Sequence, residues 1–179
     1  MGDGAPEPPA ECWIHQAIEV RLSPIEGHGL FATAPLPAGT AVMRLGGRLV
    51  TTVELRALIA AADEPDGVYV DTITVDEDRH LVMPPGQEIH YGNHSCDPTS
   101  WHLDAYTIGL RRAVAAGEEI TVDYATQSGL PGWTMECRCG SPSCRGTLTG
   151  DDWRRPELQQ RYGEHWVPLL RSRIHIPRG

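Results

Sequence analysis

The chain contains no lysine; all 15 of its basic residues are arginine. It therefore offers no lysine side chain of its own to modify. The same bias, with abundant Ala, Gly and Pro, suits GC-rich coding and a bacterial source. Phenylalanine occurs once, at Phe31, and asparagine once, at Asn93. No run approaches the roughly 18 apolar residues of a membrane span, and no membrane partner is expected. The first residues, with Asp3, Glu7 and several prolines, lack the basic start and apolar stretch of a signal peptide. A net charge of −9 argues against direct nucleic-acid binding, which needs a basic face. It fits a plain acidic protein, or one whose acidic groove attracts a cationic peptide.

What is present suffices for one domain with a real core, since the chain has 179 residues. An N-terminal extension is expected over residues 1–16, of which 1–15 read as loose and Pro- and Glu-rich. Ile18, Val20 and Leu22 alternate as in a strand. Ile25–Ala32 reads as a turn and a buried strand, and Ala41–Leu45 as another strand. Thr51-Thr52-Val53-Glu54 has the form of a capping box, with Leu55, Leu58, Ile59 and Ala62 on one face of the helix it opens. Val68–Val75, Leu81–Met83, Thr107–Val114 and Glu119–Tyr124 read as strands. The tail after Pro156 has Leu158, Tyr162, Trp166 and Leu169 at roughly helical spacing, with Pro168 as a break. Many short strands and few helices predict a mostly-β domain.

Four of the five cysteines fall in two places. Cys96 stands in Asn93-His94-Ser95-Cys96, and Cys137, Cys139 and Cys144 share one short loop. Four thiolates complete a closed tetrahedral zinc site. A cytoplasmic protein is expected, or a nuclear one if the source is eukaryotic, and in such reducing compartments clustered cysteines read as metal ligands rather than disulfides. His94 and His102 are alternatives to Cys96 as the fourth ligand. Cys12 is left as a free thiol.

Gly27-His28-Gly29-Leu30-Phe31-Ala32, Asn93-His94-Ser95-Cys96, Gly117-Glu118-Glu119-Ile120-Thr121-Val122-Asp123-Tyr124 and the cysteine loop together resemble the SET-domain lysine methyltransferases with a post-SET zinc loop. The resemblance covers about residues 17–150. It implies a β-clip fold with a pseudo-knot over 17–126, a zinc loop over 127–150 and a C-terminal tail over 151–179. It implies S-adenosylmethionine as cofactor, contacted by Gly27, His28, Gly29, Leu30, Asn93 and His94, and one structural zinc on Cys96, Cys137, Cys139 and Cys144. Tyr124 matches the catalytic tyrosine, with Tyr91 and Val122 lining the substrate channel and Glu119 and Asp123 structural. The implied reaction is methyl transfer to a lysine on a basic protein or peptide tail, with room for more than one methyl because Val122 replaces a frequent aromatic. The alternative is a zinc-stabilised peptide-binding module with weak or no transfer. This chain departs from the family pattern at His90-Tyr91-Gly92, where Arg-Phe-x is usual, and at Thr99, where Asn is common. An aromatic after the zinc loop is missing, leaving Trp133 or Trp153 to stack on adenine.

Overall fold

A computed structural model describes residues 6–175. In chain order the strands are β1 (Trp13–Ile14), β2 (Ile18–Leu22), β3 (His28–Ala32), β4 (Ala41–Arg44), β5 (Arg48–Val50), β6 (Thr72–Asp76), β7 (Arg79–Val82), β8 (Ser100–His102), β9 (Thr107–Leu110), β10 (Glu119–Ile120), β11 (Thr134–Glu136) and β12 (Thr147–Thr149). Helix α1 (Thr52–Ala62) lies between β5 and β6, and α2 (Pro156–Tyr162) and α3 (Pro168–His175) close the described chain. The strands form small antiparallel sheets ordered β1-β4-β9-β8, β10-β3-β2 and β5-β7-β6, plus the hairpin β11-β12. The fold is thus mostly β with a few short helices, as the sequence predicts.

Local chemistry explains the boundaries. Thr51 Oγ1 accepts from the Glu54 amide while the Glu54 carboxylate accepts from the Thr51 amide, so the capping box opens α1 as expected. Such a cap contributes about 1 kcal/mol. The strand expected from Val68 begins only at Thr72, because Val68 and Tyr69 are exposed and leave the sheet. The strand expected through Tyr124 stops at Ile120. There Asp123 accepts from the Ala125 amide and caps a 3-10 turn that starts at Tyr124. Pro168 begins α3 rather than breaking a helix, and Gly163, at φ 53°, ends α2.

One expectation of looseness is overturned. Residues 6–12 are strapped to the sheets: Tyr106 donates to the Pro6 carbonyl, Gly47 to that of Pro9, and Arg79 pairs with Glu7. The tail is part of the core, where Trp153, Leu158, Tyr162, Trp166, Val167 and Leu170 join Leu30, Ile73 and Ile108. Residues 93–95 run beside the chain leading to Tyr124. His94 makes a parallel bridge with Val122, Val122 donates to the Asn93 carbonyl, and Ser95 donates to that of Val122. This pairing sets the Asn-His segment and the tyrosine next to each other.

Candidate active site and cysteine cluster

Tyr124 stands where two cavities meet. One, of about 320 Å³, is walled by Ile25, Glu26, Asn93, His94, Glu136 and Arg138. The other, of about 370 Å³, is mostly apolar, with Met43, Leu45, Ile59, Ile108 and Val122 in its wall. Tyr124 and Met135 belong to both walls. The Tyr124 hydroxyl donates to the Gly92 carbonyl at 2.8 Å, and its amide donates to His94 Nδ1 at 3.2 Å. Burial pushes the phenol far above its ordinary pKa, so it stays protonated and is no base.

Accepting at Nδ1 fixes the proton of neutral His94 on Nε2, which faces Cys96 Sγ at 3.3 Å. Burial, the main cause, lowers the His94 pKa to about 4. Asn93 spends its Nδ2 on the carbonyls of Glu26 (3.2 Å) and His28 (2.9 Å) and on Glu119 Oε1 (2.8 Å). Its amide oxygen is the group left to offer the smaller cavity. Glu119 is held in turn by Ser23.

The glycines of the first motif do two different jobs. Gly27, at φ 45°, makes the turn that presents Ile25 and Glu26. A Cβ on Gly29 would lie 2.1 Å from Glu119 Oε1, so this glycine makes room for the carboxylate that holds Asn93. Leu30 is buried in the core, and the His28 ring leans on Tyr91 at 5.5 Å between centroids. Tyr91 is 43% exposed and lies outside the wall of the apolar cavity, whereas Tyr69 and His90 are in it. Trp153 is buried beneath Arg154 and Arg173, and Trp133 lines the apolar cavity. Neither reaches the wall of the smaller one.

The hairpin β11-β12 clamps the ends of the cysteine loop, and Cys137 donates to the Gly146 carbonyl at 2.7 Å. Donor atoms of His94, Cys96, Cys137 and Cys139 lie within 4.8 Å of one another. Cys96 and Cys137 Sγ are 3.7 Å apart, close to the edge of about 3.8 Å that a tetrahedron with zinc–sulfur bonds of 2.3 Å requires. Cys144 sits at the rim, outside that group of four, with Sγ 3.9 Å from the Cys137 carbonyl. Burial raises the Cys96 thiol to about 11. At Cys139 burial also pushes upward, but amide bonds from Cys96 and Ser141 and the neighbouring thiols outweigh it and bring the value to about 7. By the spacing of its sulfur donors the cluster suits a thiolate-binding cation such as zinc.

One residue of this loop was not apparent from sequence. Arg145, buried, places two nitrogens 2.7 Å from the two oxygens of Asp123, and its Nε lies 3.0 Å from Asp152. Asp123 also accepts from the Tyr162 hydroxyl at 2.7 Å. Burial alone would raise the Asp123 pKa, but the Arg145 bonds outweigh it and lower the value. The residue before Tyr124 is thereby tied to the cysteine loop and to α2.

These features define a mostly-β domain with a tyrosine between two cavities and a cysteine cluster beside it. The family model described as "SET domain" matches residues 27–125, more than half of the chain, and the chain belongs to that family. It is 26% identical over 152 residues to histone-lysine N-methyltransferase ash1 of Drosophila melanogaster, covering 79% of this chain and 7% of that protein. It is 27% identical over 146 residues to histone-lysine N-methyltransferase SETD2 of Homo sapiens, covering 77% and 6%. It is also 29% identical over 161 residues to histone-lysine N-methyltransferase Su(var)3-9 of Drosophila pseudoobscura pseudoobscura, covering 75% and 25%. The chain thus spans a quarter or less of these relatives. The methyltransferase domain of human histone-lysine N-methyltransferase SETMAR shares the fold, with a TM-score of 0.61 at 18% identity over 83% of this chain and 70% of that one. Among the described residues no helix is long and apolar enough to cross a membrane.

Proposed function

We propose that the chain is a protein-lysine N-methyltransferase that uses S-adenosylmethionine and acts on a basic, lysine-bearing protein or peptide. The observation that carries this reading is the meeting of a partly polar and an apolar cavity at Tyr124. Two reactants of different character can approach one hydroxyl from two sides. The lysine-methyltransferase homologues, which match most of the chain, support it.

The smaller cavity fits the cofactor by chemistry. Asn93 offers an amide oxygen for an ammonium, and Arg138 and Glu26 stand at its wall. The backbone of Gly27–Leu30, turned by Gly27, shapes the loop that borders it. When bound, S-adenosylmethionine supplies an electrophilic methyl group. The chain must bring a neutral amine to it. A free lysine titrates near 10.4, and the apolar wall of the larger cavity lowers that value by desolvating the ammonium. The proton can leave to water, so a dedicated base is not needed. Tyr124, pinned through its hydroxyl to Gly92 and through its amide to His94, orients the reacting groups.

Cys96, Cys137, Cys139 and Cys144 would hold one structural zinc, with His94 donating to the Cys96 sulfur rather than ligating. That role follows from its Nδ1, which already accepts from Tyr124. Val122, 4% exposed and in the wall of the apolar cavity, fills less space than an aromatic and cannot hydrogen-bond. It leaves room for an amine that already carries methyl groups, so di- or trimethyl-lysine is the expected product. Calorimetric titration with S-adenosylmethionine, followed by time-resolved mass spectrometry on a lysine peptide array, tests both claims. Saturable binding and peptides gaining more than one methyl are expected, and Val122→Tyr should shift products toward monomethyl-lysine. A wild type that stalls at one methyl with excess cofactor contradicts the open pocket, and one that neither binds the cofactor nor transfers contradicts the activity.

A further inference from the structure

The apolar cavity contains one ion pair that the proposed reaction leaves unused. Asp71 is the one carboxylate, and His90 the one basic side chain, among the described residues that line it. Asp71 precedes β6, and its Oδ2 lies 2.8 Å from His90 Nδ1. The other imidazole nitrogen, Nε2, lies 2.8 Å from the Pro84 carbonyl. Both ring nitrogens face acceptors only, the arrangement that an imidazolium satisfies, and the Asp71 hydrogen bond, the largest cause, raises the His90 pKa. Asp71 Oδ1 has no hydrogen-bond partner among the described residues. The two side chains are 24% and 12% exposed, which leaves the carboxylate reachable from the cavity but poorly hydrated.

We propose that Asp71 is the binding carboxylate for the cationic side chain that enters this cavity, and that His90 moderates it by competing for its charge. The inference rests on the lysine-methyltransferase reading above. An ammonium moving between apolar walls gives up hydration, which is unfavourable when nothing replaces it. Asp71 Oδ1 replaces part of that hydration on the way to Tyr124. A fully uncompensated carboxylate would hold the ammonium, and the methylated product, too strongly. The fixed imidazolium keeps the site close to neutral, so that binding and release are balanced. Aspartate at this position thus selects cationic side chains over neutral ones of similar length.

Steady-state kinetics on one peptide substrate tests this, with cofactor affinity and melting temperature measured for each variant. Asp71→Asn should raise the peptide KM about tenfold or more, the scale of losing a charged hydrogen bond, with kcat and cofactor affinity close to wild type. His90→Gln keeps a donor to Asp71 but removes the competing charge, so its KM should fall several-fold. In the double variant the gain from His90→Gln should vanish. A purely structural clamp predicts the same direction of change in both single variants, and that outcome overturns the proposal, as does an unchanged KM in Asp71→Asn. If Asp71→Asn does not fold, the sign of the His90→Gln effect decides alone. A wild type without transfer to any peptide refutes the methyltransferase reading and this inference with it. An active wild type indifferent to Asp71 refutes this inference only.

Discussion

Tyr124 is held at two atoms by two different partners, Gly92 at the hydroxyl and His94 at the amide. Removing the hydroxyl alone costs one hydrogen bond, about 1 kcal/mol. Tyr124→Phe should therefore melt within a few degrees of wild type and bind cofactor equally, yet lose about a hundredfold or more in turnover, the scale seen when one preorganised donor is removed. Unchanged turnover in that folded variant would remove the tyrosine from the mechanism. Gly29→Ala makes a finer test. Its Cβ would displace the Glu119 carboxylate that holds Asn93, so cofactor affinity should fall several-fold, read by calorimetry, while β3 still pairs. Asn93, Tyr124 and the cysteines were legible in the sequence because each sits in a motif of fixed spacing. Asp71 and Arg145 were not, since a lone aspartate or arginine carries no spacing signal and gains meaning only from what the fold sets opposite it. The resemblance gives Gly29 only a cofactor contact; the group that its missing side chain makes room for in this structure is Glu119.

At the level of elements, the cysteine loop hangs from the β11-β12 hairpin and reaches the site through Arg145. This side chain is 5% exposed and meets Asp123 and Asp152, which are 0% and 6% exposed. Arg145→Leu would leave two buried carboxylates without a counter-charge and should cost about 3–5 kcal/mol by chemical denaturation. Arg145→Lys should not restore it, because one ammonium cannot match the paired oxygens of Asp123 and also meet Asp152. Full stability in either variant would show that the network contributes little. Metal analysis should give close to one zinc per chain, lost in Cys139→Ser together with cofactor affinity, because the loop borders the smaller cavity at Glu136 and Arg138. Retained zinc in that variant would contradict the ligand set. Capping chemistry made α1 readable in advance, while the β11-β12 hairpin was not, because its strands of three residues are too short to show alternation. The early stop at Ile120 depends on Asp123 taking a capping role that tertiary contacts decide.

Across the whole molecule, the N-terminal strap was the part least visible in the sequence. A Pro-rich start gives no periodicity, although its carbonyls can still be used by Tyr106 and Gly47. The tail joins the sheets at His102, whose carbonyl accepts from His165 Nδ1 at 2.6 Å. Burial lowers the His102 pKa from 6.5 to about 4. Between those values the unfolded chain binds a proton that the folded chain refuses, so stability falls as the pH drops through this window and levels off below it. His94 shares the window. His102→Asn, which keeps a donor for the Asp104 carbonyl, should therefore remove about 3 kcal/mol of the stability difference between pH 7 and pH 4; equal acid sensitivity in both proteins would contradict the assignment. The 179 residues include no lysine, so none of them can be the acceptor in the proposed reaction. The most direct measurement is transfer of labelled methyl from S-adenosylmethionine to a lysine peptide array by wild type and by Tyr124→Phe, with the fold of both verified by melting. The account predicts labelled lysine peptides with wild type and near-background labelling with the variant. No labelling by wild type, or equal labelling by both, would contradict it.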